Sequence, residues 1–398
     1  KTLVFLSKDL KNFKIKKIKS GTKIYDWIVP KVWNIYQAYI EDLSGKKIID
    51  FKDNNLHVVS CSQKVNRNIS LQELKRHLHT LKDQPKAIPY VTSYYKNYWG
   101  FCIQYEKFKK LKNLKYKILI DSKLENGFLN YGEIIIKGRS KEEVLLSTYI
   151  CHPSMGNNEV SGIVLLKAIV KNLQRRKNLH YTYRIIFIPE TIGSIIYINK
   201  NLNKLKKNVK AGFIVTCVGD DNNYSYLETK MTNTLSDKVA KYAFQYKNIK
   251  YNLYSYLERG SDERQFSSPG VDLPIGSIMR TKYGNYKEYH TSLDNMNFIS
   301  PKGFEGAFDI YKLVIELLEM NKFYLTNFIC EPFLSKRKLK DSIGGNKINK
   351  SKNVINFIAY ADGKTDLIDI SKLMKANIYE LNEIAKSLLK KKMIKVIN

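Results

Sequence analysis

Four clusters of polar residues follow apolar runs, and their side-chain types suit metal-assisted acid/base chemistry. Residues 144–150 lead into Cys151-His152-Pro153-Ser154-Met155-Gly156-Asn157-Asn158-Glu159, and residues 184–188 lead into Pro189-Glu190-Thr191-Ile192-Gly193-Ser194. Residues 212–218 lead into Gly219-Asp220-Asp221, and a later loop carries Glu288-Tyr289-His290-Thr291-Ser292-Leu293-Asp294. In open α/β sheets, ligands collect at the carboxyl ends of strands. One histidine in such a place is as readily an ordinary hydrogen-bonded residue as a ligand. Two histidines and two acidic residues over four strand ends suit a zinc site with an acid/base carboxylate.

The elements that must position these clusters alternate along the chain. Residues 134–137 and 144–150 read as strands around Gly138-Arg139-Ser140, 161–173 as a helix, 184–189 as a buried strand and 192–202 as a helix. A strand at 212–218, a helix at 234–246 and a closing helix at 302–320 follow. This alternation predicts an α/β domain with a largely parallel sheet. Residues 26–130 differ, with short aromatic-rich runs and many turns, and read as a smaller domain. Residues 335–352 combine Lys336-Arg337-Lys338-Leu339-Lys340 with Gly344-Gly345 and read as a linker. Amphipathic helical patterns at 354–361, 367–374 and 378–391 and a strand at 393–397 then suggest a winged helix.

Composition narrows the classes. The 398 residues include 43% hydrophobic and 12% aromatic side chains, enough for substantial cores. No apolar run reaches the roughly 20 residues of a membrane span. Lys1 to Phe13 is basic without an apolar core or a cleavage site, so no secretory signal is expected. The net charge of +31 comes from lysine, which outnumbers arginine about six to one and is spread along the chain. A nucleic-acid surface favours clustered arginine. Cys61, Cys102, Cys151, Cys217 and Cys330 are widely spaced without a CxxC pair, which fits a reducing, cytoplasmic compartment.

With these residues in place, the chain resembles the co-catalytic zinc aminopeptidase superfamily. More narrowly, it resembles a bacterial group with an aminopeptidase-like domain, an inserted small domain and a C-terminal winged helix, often found with surface-polysaccharide genes. The resemblance rests on Gly21-Thr22-Lys23-Ile24-Tyr25-Asp26-Trp27, Cys151-His152-Pro153-Ser154, Pro189-Glu190-Thr191-Ile192-Gly193-Ser194, Gly260-Ser261-Asp262-Glu263-Arg264-Gln265-Phe266 and Tyr289-His290-Thr291-Ser292. It implies a mixed, mostly parallel sheet with helices on both faces. The catalytic domain would comprise 1–25 and 131–334, the inserted domain 26–130, and linker plus winged helix 335–398. Against the superfamily the N-terminus looks short, as though a first helix were trimmed.

The resemblance also assigns roles. His152 and His290 stand at the first and last metal-ligand histidines, and Glu190 at the general base. Asp220 is the expected carboxylate ligand, with Asp221 and Cys217 as alternatives. Asp262, in a loop near the site, and Glu263, Arg264, Arg280 and Tyr289 are candidates for substrate binding, with a structural ion-pair network as the competing role for Glu263, Arg264 and Arg280. The departures are equally specific. Ser154 stands where an Asp should orient the first histidine, Asn158 where an Asp should bridge two metals (with Glu159 beside it as a substitute ligand), and Thr191 where a Glu should hold the second metal. Three lost carboxylates leave too little negative charge for two dications, so at most one zinc is expected.

Two functions follow. The first is hydrolysis of an amide in a small peptide or an N-acylated, sugar-like metabolite, with Trp33, Tyr94, Tyr95, Tyr98 and Trp99 lining a groove or else forming the small domain's own core. The second is a degraded site serving as a ligand-sensing or partner-binding module, in which the winged helix docks a partner enzyme, a second copy or DNA. Tyr379, Glu380, Asn382 and Glu383 open the third helical pattern, where a DNA reader presents base-contacting side chains. Two acidic residues there disfavour DNA. Any DNA binding should therefore fade with added salt. Sequence-selective retardation in a mobility-shift assay at about 200 mM salt would contradict this.

Overall fold

Eight strands of the computed structural model, which describes residues 1–337, 339 and 349–397, form the main sheet. Their order is Lys14–Lys19, Phe128–Ile136, Thr182–Ile188, Glu143–Tyr149, Val209–Ile214, Ile275–Met279, Ser225–Leu227 and Asn252–Tyr254. The four strands from Thr182–Ile188 to Ile275–Met279 run parallel, and the antiparallel pairings lie outside them. Glu143–Tyr149 and Thr182–Ile188 are buried at every position, as strands covered on both faces must be. Helices Ser161–Arg175, Ile192–Asn208 and Leu235–Tyr246 are amphipathic and bury one side each. Leu235–Tyr246 starts at a reciprocal cap between Thr234 and Asp237. Ser161–Arg175 instead follows a π-helical turn, Gly156–Val160. Gly162 lets that helix approach closely, because a Cβ there would lie 2.3 Å from the Val215 carbonyl oxygen.

The inserted residues form a four-stranded antiparallel sheet in the order Lys47–Asp50, Val32–Asp42, Lys115–Glu125, Val65–Ser70. Ala38, Ile40, Ile69, Phe101, Ile118 and Ile120 give it a core of its own. Its last strand ends at Glu125 and the main sheet resumes at Phe128, slightly before the expected limit of 130. It belongs with the main sheet to one compact unit, Lys1–Tyr311.

The second unit is Lys312–Asn398. Its sheet has the order Asp362–Asp366, Phe323–Thr326, Ile394–Ile397, accompanied by helices Asn349–Ala359, Leu367–Met374 and Ile378–Lys390. The expected boundary at 335 is corrected here, because the central strand of this sheet precedes it. Four residues are too few to show a period of two, and their partners lie far along the chain. Of the expected linker, residues 338 and 340–348 lie outside the described residues. Tyr379 bonds Glu316 through its hydroxyl at 2.8 Å. Among the described residues, no helix is long and apolar enough to cross a membrane.

Arg184 anchors the main sheet. It is 2% exposed, and it donates to both Glu143 oxygens, to Glu133 at 2.9 Å and to the Tyr197 hydroxyl at 2.8 Å. A buried charge is tolerated when paired and hydrogen-bonded in this way. Glu143→Gln removes the bidentate partner with little change of volume. It should cost about 3 kcal/mol in denaturant unfolding; a loss below about 0.5 kcal/mol would show that Glu133 alone suffices.

Candidate functional site

The loop after Glu143–Tyr149 folds back so that its own carboxylate holds its backbone. Glu159 Oε2 accepts from the amides of Cys151, at 2.8 Å, and His152, and lies 3.3 Å from His152 Nδ1. Glu159 therefore orients the His152 ring, the task expected of an Asp at position 154, and is not a spare ligand. The other ring nitrogen, Nε2, lies 3.5 Å from Glu190 Oε2. Glu190 follows Thr182–Ile188, and its amide donates to Cys151 Sγ at 3.2 Å. Asp262 supports this turn by accepting from the Thr191 amide at 2.8 Å, and Arg264 bonds the Thr191 hydroxyl at 2.5 Å.

Cys151, His152, Glu190, Thr191, Arg264 and His290 share a cleft of about 590 Å³, walled on its other side by Trp27, Tyr90, Tyr94 and Tyr95. The inserted residues reach it through backbone hydrogen bonds. The Tyr90 amide donates to the His290 carbonyl at 2.8 Å, and Ser292 donates to Ile88 at 2.9 Å. The Tyr90 ring lies 5.4 Å from that of His152 and 5.2 Å from that of His290. Of the five aromatics expected to line a groove, Tyr94 and Tyr95 do so. Trp33 and Trp99 pack on the small sheet's core, and Tyr98 on a neighbouring cluster.

Several expected site residues lie elsewhere. The Val209–Ile214 strand ends four residues before the predicted limit, so Cys217, not Asp220, approaches Asn158, at 3.9 Å. Asp220 spends its carboxylate on Asn157, Thr281 and Asn222 and is structural. Glu263 is fully buried and accepts from the Gly260 and Ser261 amides and the Tyr283 hydroxyl, so it meets no substrate. Arg280 lines a different hollow, and Tyr289 stacks on His290 at 3.9 Å without lining the cleft. Sequence reasoning missed Cys151, Tyr90 and Asp294. The signal for Cys151 was its adjacency to His152, whereas nothing in a one-dimensional pattern brings Tyr90 across.

The cleft is crowded with carboxyl groups. Burial pushes Glu190 up, against the pull of His152 and Arg264, and burial likewise raises Glu159 despite its bonds to His152. Burial and the nearby Glu190 push Asp262 up to about 7. For His152 burial opposes charge, but the Glu159 hydrogen bond and the charges of Glu190 and Glu159 outweigh it and raise its pKa. Burial, with His152 beside it, pushes His290 down to about 4, so it is neutral at pH 7. Burial and the charges of Glu159 and Glu190 raise the Cys151 thiol well above its usual value.

This donor set fits one metal ion. Cys151 Sγ, a His152 nitrogen and a Glu190 oxygen lie within 4.8 Å of one another, a sulfur–nitrogen–oxygen set suited to zinc. A dication would relieve the excess of raised carboxyl groups and draw the thiol to its thiolate. The buried His290 Nε2 and Asp262 Oδ2 have no hydrogen-bond partner among the described residues. Among the described residues, no second group of three such donors is gathered. Asn158 gives its amide nitrogen to Tyr149 and offers one neutral oxygen, Thr191 is engaged with Arg264, and burial holds the Cys217 thiol up to about 12. Elemental analysis after zinc loading and dialysis should therefore find no more than one ion per chain. Asn158→Asp combined with Thr191→Glu should raise the count toward two. Two tightly held ions in the unaltered chain would refute this.

Comparison with known proteins agrees with the fold. Residues 1–321 match the model of a domain of unknown function, DUF4910, and residues 322–396 match that of a winged helix-turn-helix. A Clostridium acetobutylicum protein, provisionally named a polysaccharide biosynthesis protein with an aminopeptidase-like domain, is 43% identical over 386 residues, covering 96% of this chain and 88% of that one. A crystal structure from Clostridium acetobutylicum, provisionally titled a peptidase, superposes with a TM-score of 0.91 at 41% identity over 99% of this chain and 90% of that one. BSAP, a zinc aminopeptidase from Bacillus subtilis, superposes with a TM-score of 0.57 at 12% identity over 80% of this chain and 86% of its own, a likeness of fold alone.

Proposed function

This chain belongs to the aminopeptidase-like DUF4910 family with a C-terminal winged helix, and on that premise we propose that it is a hydrolase cleaving an amide bond at a single-metal site. One observation carries the reading: Glu190, its pKa raised by burial, faces His152 Nε2 at 3.5 Å on the wall of the cleft. A carboxyl tuned upward suits proton transfer near neutral pH. Cys151 and His152 would hold one zinc ion, and Glu190, the third of the gathered donors, would serve as the base rather than as a ligand. When bound, zinc polarises a carbonyl and lowers the pKa of water to about 7. Glu159 fixes the His152 ring through Nδ1, and Glu190 takes the proton of the attacking water and returns it to the leaving amine. Tyr90, Tyr94 and Trp27 exclude water from the opposite wall.

An N-acyl group on a sugar-like metabolite or a small peptide is the substrate class in this reading, and the name of the Clostridium relative favours the former. The five free cysteines agree with a cytoplasmic setting. The loss of charge at Asn158 and Thr191 favours one competing function, a binding module that keeps the cleft without turnover. Glu190→Gln separates the two. Turnover of aminoacyl or N-acetyl-sugar substrates should fall by about 10²–10⁴-fold, with folding and zinc content retained. If the mutant loses its zinc instead, Glu190 is a ligand and not the proton carrier. No turnover by the unaltered, zinc-loaded chain would favour the binding module.

A further inference from the structure

Arg280 is buried as deeply as an ion-paired arginine but has no ion-pair partner among the described residues. It is 4% exposed, and no ion pair among the described residues includes it, whereas Arg184 has Glu143 and Glu133. Its Nε donates to the Asn223 carbonyl at 2.8 Å, and its guanidinium lies 3.8 Å from the centre of the Tyr224 ring. Among the described residues, its other four N–H donors make no further hydrogen bond. With the rest of the side chain enclosed, the free face of the guanidinium opens onto the hollow beside it, where an anion from outside the chain can meet it. The fold makes room for the group. Gly306 lies within helix Pro301–Met320, and a Cβ there would stand 2.3 Å from the Tyr224 hydroxyl and 2.5 Å from Arg280 Nη1. Glycine inside a helix is unfavourable unless something needs the space.

Arg280 faces a hollow of about 710 Å³ that shares no lining residue with the cleft. Lys250 and Lys302 stand exposed at its mouth, and so do Asp221, Glu305 and Asp309. Three carboxylates would repel a bare anion, so the ligand must also bring hydrogen-bond donors. We propose that this hollow binds a phosphorylated sugar. Its phosphoryl oxygens meet the Arg280 fork, with Lys250 and Lys302 alongside, and its hydroxyls donate to Asp221, Glu305 and Asp309. A guanidinium matches two phosphoryl oxygens at once. The volume suits a monosaccharide phosphate and far exceeds a phosphate ion. This site stands whether or not the cleft is hydrolytic.

Isothermal titration of the full chain with glucose 1-phosphate, inorganic phosphate and glucose tests the assignment. Glucose 1-phosphate should bind with a Kd below about 1 mM, phosphate more weakly, and glucose not at all. Arg280→Met should lose at least about tenfold in affinity. Without ligand it should melt no lower than the unaltered chain, because an uncompensated charge has gone. Lys302→Ala changes only an exposed side chain, so it should fold normally, bind more weakly and show a shallower salt dependence. No binding of glucose 1-phosphate at about 10 mM, or equal binding by the unaltered chain and both variants, would overturn the proposal. Phosphate binding as tightly as glucose 1-phosphate would remove the sugar from it.

Discussion

The site depends on internal carboxylates that hold backbone amides at the end of the Glu143–Tyr149 strand. Where that strand stops, its continuing chain has amides with no sheet partner, and it turns into a π-helical segment before a regular helix begins. Such groups must be paired when buried. Glu159 takes the amides of Cys151 and His152, and Asp294 takes those of Asn157, at 2.5 Å, and Asn158, at 2.9 Å. Asp294 comes from the same loop as His290, so one set of hydrogen bonds fixes the placement of both histidine-bearing segments. Removing either carboxylate would leave buried amides unsatisfied and free the cleft's two walls to drift.

The same backbone is held in an unusual conformation at several turns. Ser154, Thr191, Cys217 and His290 have φ values of 56, 63, 51 and 55°, a left-handed region that such residues seldom occupy. Thr191, which is β-branched, is the most strained of them. Thr191 and His290 line the cleft, and strain held there is imposed by the surrounding fold.

Much of this was legible in the sequence, for definable reasons. Strands at 143–149 and 182–188 are buried on both faces and read from their apolar stretches, residues 144–146 and 185–188, and the helices at 161–175, 235–246 and 367–374 carry clear stripes. His152, Glu190 and His290 were singled out because strand ends gather function, and the fold brings all three to one cleft. What failed was register and depth. Val209–Ile214 continues into the apolar Val215 and Val218 outside the sheet, so periodicity ran past its end and pointed to Asp220. Glu263 and Arg280 are charged, and charge suggests surface, but both are buried for reasons of local hydrogen bonding or space that no linear pattern records.

The inserted residues grip the His290 loop through main-chain atoms: the Tyr90 amide on the His290 carbonyl, the Ser292 amide on that of Ile88, and an isolated bridge between Pro89 and Thr291. Peptide groups are the same whatever side chain they carry. Substitutions at Tyr90, Thr92 or Tyr94 can therefore reshape the cleft wall without releasing its attachment. Relatives of this chain are free to diverge in what they recognise while inheriting an unaltered hinge-free joint, and selectivity becomes a trait that can evolve separately from the architecture that carries it.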